Sequence, residues 1–206
     1  VTWEAYLTNG FDDGLITESP EGTRIPLGRG NFELQNSSPA VVGRLAWSPS
    51  VGYEFGVSGH HGAWNVFMVD GTLVDEHRPL TISVFDGEVT VAGIRVSGEA
   101  ALARLNIPPG LMDVYASRQA GWYLDLARDF GSGWVRNAPG SNFTLKARLD
   151  AIDHDTDAVG HHTRQASAGV NFRPTSESVI KLEMVRGWSY DQFNNRSDFA
   201  RLLASF

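Results

Sequence analysis

The sequence predicts an all-β protein, an antiparallel up-and-down β-barrel that crosses a membrane with about ten strands in a single domain over residues 1–206. Three observations predict it. Short segments repeatedly alternate apolar and polar residues, the signature of strands with one apolar and one polar face. No apolar run reaches the ~18 residues of a helical membrane span. The connections alternate between long and short, as in a meander whose two ends meet different environments.

The clearest strand is 141–152, where Phe143, Leu145, Ala147, Leu149 and Ala151 alternate with Thr144, Lys146, Arg148 and Asp150. The first strand, 1–8, sets Val1, Trp3, Ala5 and Leu7 against Thr2, Glu4, Tyr6 and Thr8. A long connection rich in Gly, Asp, Ser and Pro, 9–39, leads to the second strand, 40–47. A tight turn gives the third, 52–59, and a second long connection occupies 61–79. The fourth strand, 80–91, holds Leu80 and Ile82 on the opposite parity from Phe85, Val89 and Val91, which predicts a bulge near Asp86-Gly87.

Ala92-Gly93 turns the chain into the fifth strand, where Ile94, Val96, Ala100 and Leu102 oppose Arg95, Ser97 and Glu99. The breaker Pro108-Pro109-Gly110 sits in the connection 106–119, before the sixth strand, 121–130. Residues 131–140 connect to the strand at 141–152, and a polar acidic stretch, 153–161, leads to the eighth, 163–172. The ninth sets Ile180, Leu182 and Met184 against Lys181 and Glu183; a polar, aromatic connection, 188–197, precedes the tenth, with Leu202, Ala204 and Phe206 on one parity. No helix is predicted. Both ends of the chain fall on the short-turn side.

Composition narrows the function. The chain has 206 residues, 42% of them hydrophobic, enough for a folded domain. It carries no cysteine, and its net charge of −7 leaves no basic footprint for nucleic acid. It opens on Val-Thr-Trp without a leader, as a mature form or a fragment would. Three Asn-X-Ser/Thr triplets, at Asn36, Asn142 and Asn195, are short enough to arise by chance.

Strand parity places Arg44, Arg95, Lys146, Arg148, Arg173, Lys181 and Arg201 on the polar face. With them come Glu54, Asp86, Glu88, Glu99, Asp125, Asp129, Asp150 and Glu183, and also Glu4. In a water-filled barrel these line the pore and set its field, and their mixed signs predict weak selectivity.

Enzyme chemistry finds no footing. Neighbouring histidines, His60-His61 and His161-His162, point to opposite faces of a strand and do not make a two-ligand metal site. Asp153 to Asp157 opens like a calcium loop but lacks its Gly and distal Glu. No nucleophile elbow or triad stands out, and no cofactor is implied. The competing expectation is a soluble β-sandwich or barrel module that binds carbohydrate, with Trp64, Trp134 and Trp188 as stacking platforms and the apolar parity buried against a second sheet.

Four stretches carry a family resemblance: WEAYLTNGFD from Trp3, PAVVGRLAWSPSVGYEFGVSG from Pro39, GIRVSGEAALARL from Gly93, and residues 168–183 followed by Leu202-Leu203-Ala204-Ser205. In these the chain resembles the C-terminal portion of the phosphate-selective porin O/P family of Gram-negative outer membranes. The resemblance implies a passive outer-membrane channel for small hydrophilic solutes or anions, seated in a lipid bilayer and assembled as a homotrimer. It also implies that the C-terminal strand, ending at Phe206, addresses the barrel-assembly machinery. The family barrel has sixteen strands, so this chain is either a portion of one or a smaller ten-stranded barrel. A phosphate-specific channel would need an arginine ladder and a lysine cluster. Lys146 and Lys181 are the only lysines here, which departs from that pattern.

Overall fold

The computed structural model describes residues 1–17, 22–29 and 38–206. Ten strands form one antiparallel sheet: β1 (Thr2–Thr8), β2 (Ala40–Trp47), β3 (Tyr53–Ala63), β6 (Pro79–Val91), β7 (Ile94–Leu105), β8 (Arg118–Phe130), β9 (Asn142–Asp153), β10 (His162–Arg173), β11 (Ile180–Tyr190) and β12 (Arg196–Ser205). Each strand pairs with its neighbours in sequence, so the sheet is an up-and-down meander. A separate two-stranded hairpin, β4 (Met68–Val69) with β5 (Thr72–Leu73), lies in the connection between β3 and β6. One four-residue helix, α1 (Gly14–Thr17), and two short 3-10 turns complete the described elements. No helix among the described residues is long and apolar enough to cross a membrane, which says nothing of strands.

Among the described residues β1 and β12 do not pair with each other, so the ladder ends at two edges. The predicted transmembrane barrel is therefore observed as a ten-stranded antiparallel sheet, with no closure among these residues. Several boundaries move outward: β3 runs to Ala63, β8 begins at Arg118, and β11 continues to Tyr190. The connection expected at 188–197 shrinks to residues 191–195. Long and short connections do alternate through β7. They then level out, because residues 131–141 join β8 to β9 while only 191–195 join β11 to β12. Within the predicted connection 9–39, residues 18–21 and 30–37 lie outside the described residues, as does the Asn36 triplet.

The register is continuous through Phe85↔Ala100, Asp86↔Glu99 and Gly87↔Gly98, so the predicted bulge is absent. Leu80 and Ile82 stand on the polar-face parity for another reason. They join a buried cluster of Leu15, Trp64, Leu80, Ala103, Leu105 and Ile107, against which Phe11, Ile16, Ile25, Ile82 and Tyr115 pack. The connections bring Leu15, Trp64 and Ile107 down onto the sheet, and apolar burial holds them there. The β6–β7 turn needs left-handed backbone at both central residues, and Ala92 (φ 52°) and Gly93 (φ 75°) supply it.

The two faces differ. One is polar and partly roofed by this cluster. The other carries Trp3, Leu45, Val57, Phe85, Leu102, Leu124, Leu149, Leu182 and Leu202, all exposed.

Candidate functional site: a charged sheet face under a roof of connections

Alternation along the strands places every predicted pore-lining charge on the roofed, polar face. The register brings many of them side by side: Asp86 opposite Glu99, Asp125 opposite Arg148, and Asp150 opposite Tyr123. Gly169 separates Lys146 from Glu183 in a single row.

Two arginine-centred groups organise this face. Arg44 on β2 grips Asp86 on β6 with both terminal nitrogens, Nη1 to Oδ1 at 2.5 Å and Nη2 to Oδ2 at 2.8 Å. Nη2 also lies 3.5 Å from Glu54 Oε1. The pair crosses the intervening β3 over Gly56, where a Cβ would sit 2.6 Å from Asp86 Oδ1 and 2.7 Å from Arg44 Nη2. Glycine is the residue that leaves room for this contact. Around it Glu54, Asp86, Glu88, Glu99 and Tyr123 line a depression of ≈330 Å³.

The second group centres on Arg148. Its Nη1 lies 3.3 Å from Asp125 Oδ2 and its Nε 3.4 Å from Asp150 Oδ2, while its guanidinium carbon sits 4.1 Å from the centroid of Tyr123. Gln165 Nε2 donates to Asp150 Oδ2 at 3.1 Å, and Thr144 Oγ1 donates to Asp129 Oδ1 at 2.6 Å. Glu88, Arg95, Glu99, Lys146, Arg173, Lys181, Glu183 and Arg201 make no ion pair with another described residue. Arg201 instead lies 5.0 Å from the ring of Phe199.

The charges are also segregated. Strands β1 to β8 carry Glu4, Glu54, Asp86, Glu88, Glu99, Asp125 and Asp129 against Arg44 and Arg95. Strands β9 to β12 carry Lys146, Arg148, Arg173, Lys181 and Arg201 against Asp150 and Glu183. The expectation of mixed signs missed this order, although the sequence holds it once strands are assigned.

Sequence reasoning also missed the roof. Buried Arg78 clamps the connection between β3 and β6. Its Nε donates to Asp75 Oδ2 at 2.9 Å, Nη2 to Asp75 Oδ1 at 3.0 Å and Nη1 to Asn106 Oδ1 at 3.1 Å. Asn65 completes the clamp, donating from Nδ2 to Asp75 and accepting at Oδ1 from the Arg78 backbone N–H. Hydrogen bonding to Arg78 holds the Asp75 carboxyl below the ordinary carboxylate range. Thr23 Oγ1 donates to the Ala116 carbonyl and Gln119 Nε2 to the Thr23 carbonyl, tying the first long connection to the third. No local signal marks the Thr23 contacts, whose partners lie 93 and 96 residues away.

Beneath the roof Phe11, Arg29, Val42, His60, Ile82 and Val84 line a cavity of ≈370 Å³, with the Phe11 and His60 rings edge to face at 5.0 Å. At the same end, Arg24, His154, His161, Tyr190, Asp191 and Phe193 line a second of ≈450 Å³. Burial pushes the His154 pKa down, aided by the charges of Arg24 and His161. Asp153 and Asp155 accept backbone N–H bonds within their own connection, from Asp155 and Asp157 respectively.

The tryptophans proposed as stacking platforms fare differently. Trp64 is 2% exposed and belongs to the buried cluster, so it cannot stack on a ligand. Trp188 is half-buried with the Arg196 guanidinium 5.7 Å from its ring centroid. Trp134 is 72% exposed but packs edge to face on Phe130. Among the described residues no second sheet covers the apolar face.

No protein-family model, curated protein or solved structure matches the chain. What the geometry defines is a class of architecture: an antiparallel meander with one charged, roofed face and one bare apolar face.

Proposed function

We propose that this sheet is the wall of an outer-membrane β-barrel channel through which small hydrophilic solutes or ions diffuse passively. The observation that carries the reading is the bare apolar face. Leu145, Leu149 and Leu182 are each about half exposed, at 53%, 50% and 53%. Water penalises such a continuous apolar surface, whereas lipid hydrocarbon accepts it.

Strand length agrees. The 12 residues of β9 extend ~40 Å at ~3.3 Å per residue and rise ~30 Å at a tilt of ~40°, the thickness of a bilayer core. At the short-turn end Phe130, Phe143 and Phe172 stack in a row, with centroids 5.6 and 4.7 Å apart, and Trp47 packs near Phe55. Such aromatic rows stand where a bilayer meets water.

A sheet in hydrocarbon tolerates no open edge, so in this reading β1 and β12 close the wall, on each other or on further strands. The charged face then lines the passage, and the roof narrows it from one end. The assignment to the phosphate-selective porin O/P family, assembly as a homotrimer, and recognition of β12 by the barrel-assembly machinery belong to the same proposal. They rest on the four sequence stretches and on Leu202, Ala204 and Phe206 sharing the apolar parity. The acid-rich strands β1 to β8 speak against a phosphate-specific passage and for a small-solute channel.

Planar-bilayer recording tests the reading. Discrete conductance steps that scale with bulk salt conductivity are expected, together with swelling of liposomes in small sugars. Folded protein that neither inserts nor conducts would sink it.

A further inference from the structure

Charge on the apolar face is confined almost wholly to one end. Arg104, Arg118, Arg164, Arg186 and Arg196 lie on its parity in the parts of β7, β8, β10, β11 and β12 toward the end where the connections 64–78, 106–117, 154–161 and 191–195 gather, whereas the opposite end has, among the described residues, only Arg128. The acids on this face among the described strands are Asp153 and Asp198.

Arg104 stands directly opposite Arg118, and the pairing of Arg118 with Asp157 still leaves this like-charge cross-strand pair with a net positive charge. Arg164 is registered with Trp188, and Arg186 is one same-face step further along β11. Arg118 is paired with Asp157 and Arg196 with Asp198. Exposed Arg104, Arg164 and Arg186 make no ion pair with any described residue.

We propose that this arginine margin binds the phosphate groups of an anionic lipid whose acyl chains lie along the apolar face below it. The inference rests on the membrane reading above. Every cation in the margin is arginine, whose planar fork meets phosphate oxygens two at a time. Trp122 and Trp188 lie on the same face, where amphipathic rings suit the boundary between acyl chains and headgroups. Charge complementarity selects lipid over a second copy of this chain. The rest of the apolar face offers Trp3, Leu45, Val57 and Phe85 rather than carboxylates, so a copy docking through that face brings few partners for the three guanidinium groups of Arg104, Arg164 and Arg186.

The test reconstitutes the full chain into phosphatidylcholine vesicles containing a minor fraction of either a phosphorylated lipid A or its dephosphorylated form. The protein is then extracted in mild detergent and the lipid it retains is counted by native mass spectrometry. Preferential retention of the phosphorylated form is expected. R104Q/R164Q/R186Q should cut that retention at least about tenfold, and R128Q, at the opposite end, should leave it unchanged. Heat-modifiable mobility on gels checks that each variant folds.

Equal retention of both lipids, an equal loss in R128Q, or full retention in the triple variant overturns the proposal. So does an oligomer that the triple variant dissociates without change in lipid retention, which would give the margin to a second copy. Protein that inserts into phosphatidylcholine but ignores phosphate defeats this inference alone. Failure to insert into any vesicle defeats the channel reading with it.

Discussion

Arg44 and Asp86 meet across an intervening strand, each terminal guanidinium nitrogen on one carboxylate oxygen, because Gly56 between them has no side chain. The contact links β2 to β6 through side chains where the backbone ladder cannot, since those strands are not neighbours. It also neutralises Arg44, among the described residues the cation that lines an otherwise acidic depression.

Breaking that pair should alter ion selectivity in a direction set by which partner is lost. Arg44→Gln leaves the depression more negative and should raise the cation-to-anion permeability ratio about sixfold, since one charge over roughly 8 Å of water favours a cation and disfavours an anion by about 0.5 kcal/mol each. Asp86→Asn should lower it by a similar factor. Gly56→Val should separate the partners without changing net charge. Reversal potentials under a salt gradient read all three, and identical values for Arg44→Gln and Asp86→Asn would count against the depression lining the passage.

Leu149→Arg separates a face in lipid from a face in water. In hydrocarbon near mid-bilayer the substitution should cost ~2–4 kcal/mol; on a solvated surface it should stay within about 0.5 kcal/mol. Reversible unfolding in the presence of lipid bilayers measures it, and a negligible change would argue for water.

Arg78→Ala should release the connection between β3 and β6 while leaving the sheet intact. Loss of its charged hydrogen bonds costs about 2 kcal/mol locally, or roughly a 30-fold rise in opening. Hydrogen exchange at residues 64–78 should quicken accordingly, while exchange in β8 and β9 stays slow.

Acidification should loosen the connection between β9 and β10. Folding favours the neutral form of His154, so its contribution is intact above its ordinary value of 6.5 and is lost as pH falls below that toward the lowered folded value. Hydrogen-exchange protection factors over residues 154–161, which correct for the pH dependence of the intrinsic rate, should therefore fall between neutral pH and mildly acid pH, and His154→Gln should flatten the response. Asp157 and Asp191, held low chiefly by Arg118 and by Asn195 respectively, add a second loss only below their ordinary value of 3.8.

The strands were legible because alternation is a local property: Phe143 to Ala151 reads as one face from the residues alone. The roof was not. Leu80 and Ile82 break parity with Phe85, and a local reading has only a bulge to explain this. The actual cause is contact with Leu15 and Trp64, which no period announces. For the same reason Trp64 read as an exposed platform, and the clamp of Asn65, Asp75 and Arg78 went unseen. The charged residues were assigned correctly to one face by parity, but which of them pair, as Arg148 does with Asp125 and Asp150, depends on register.

The meander has a kinetic side. Every ladder in the large sheet joins strands adjacent in that sheet's chain order, so none of these pairings waits for a strand further along the order, and β6 with β7 needs only the closure of Ala92-Gly93. The roof is different: Thr23 reaches Ala116 across 93 residues of chain and Gln119 across 96. Assembly thus divides into fast, hairpin-by-hairpin growth of the wall and a late docking of the first connection, which can settle only after β7 and β8 exist to receive it.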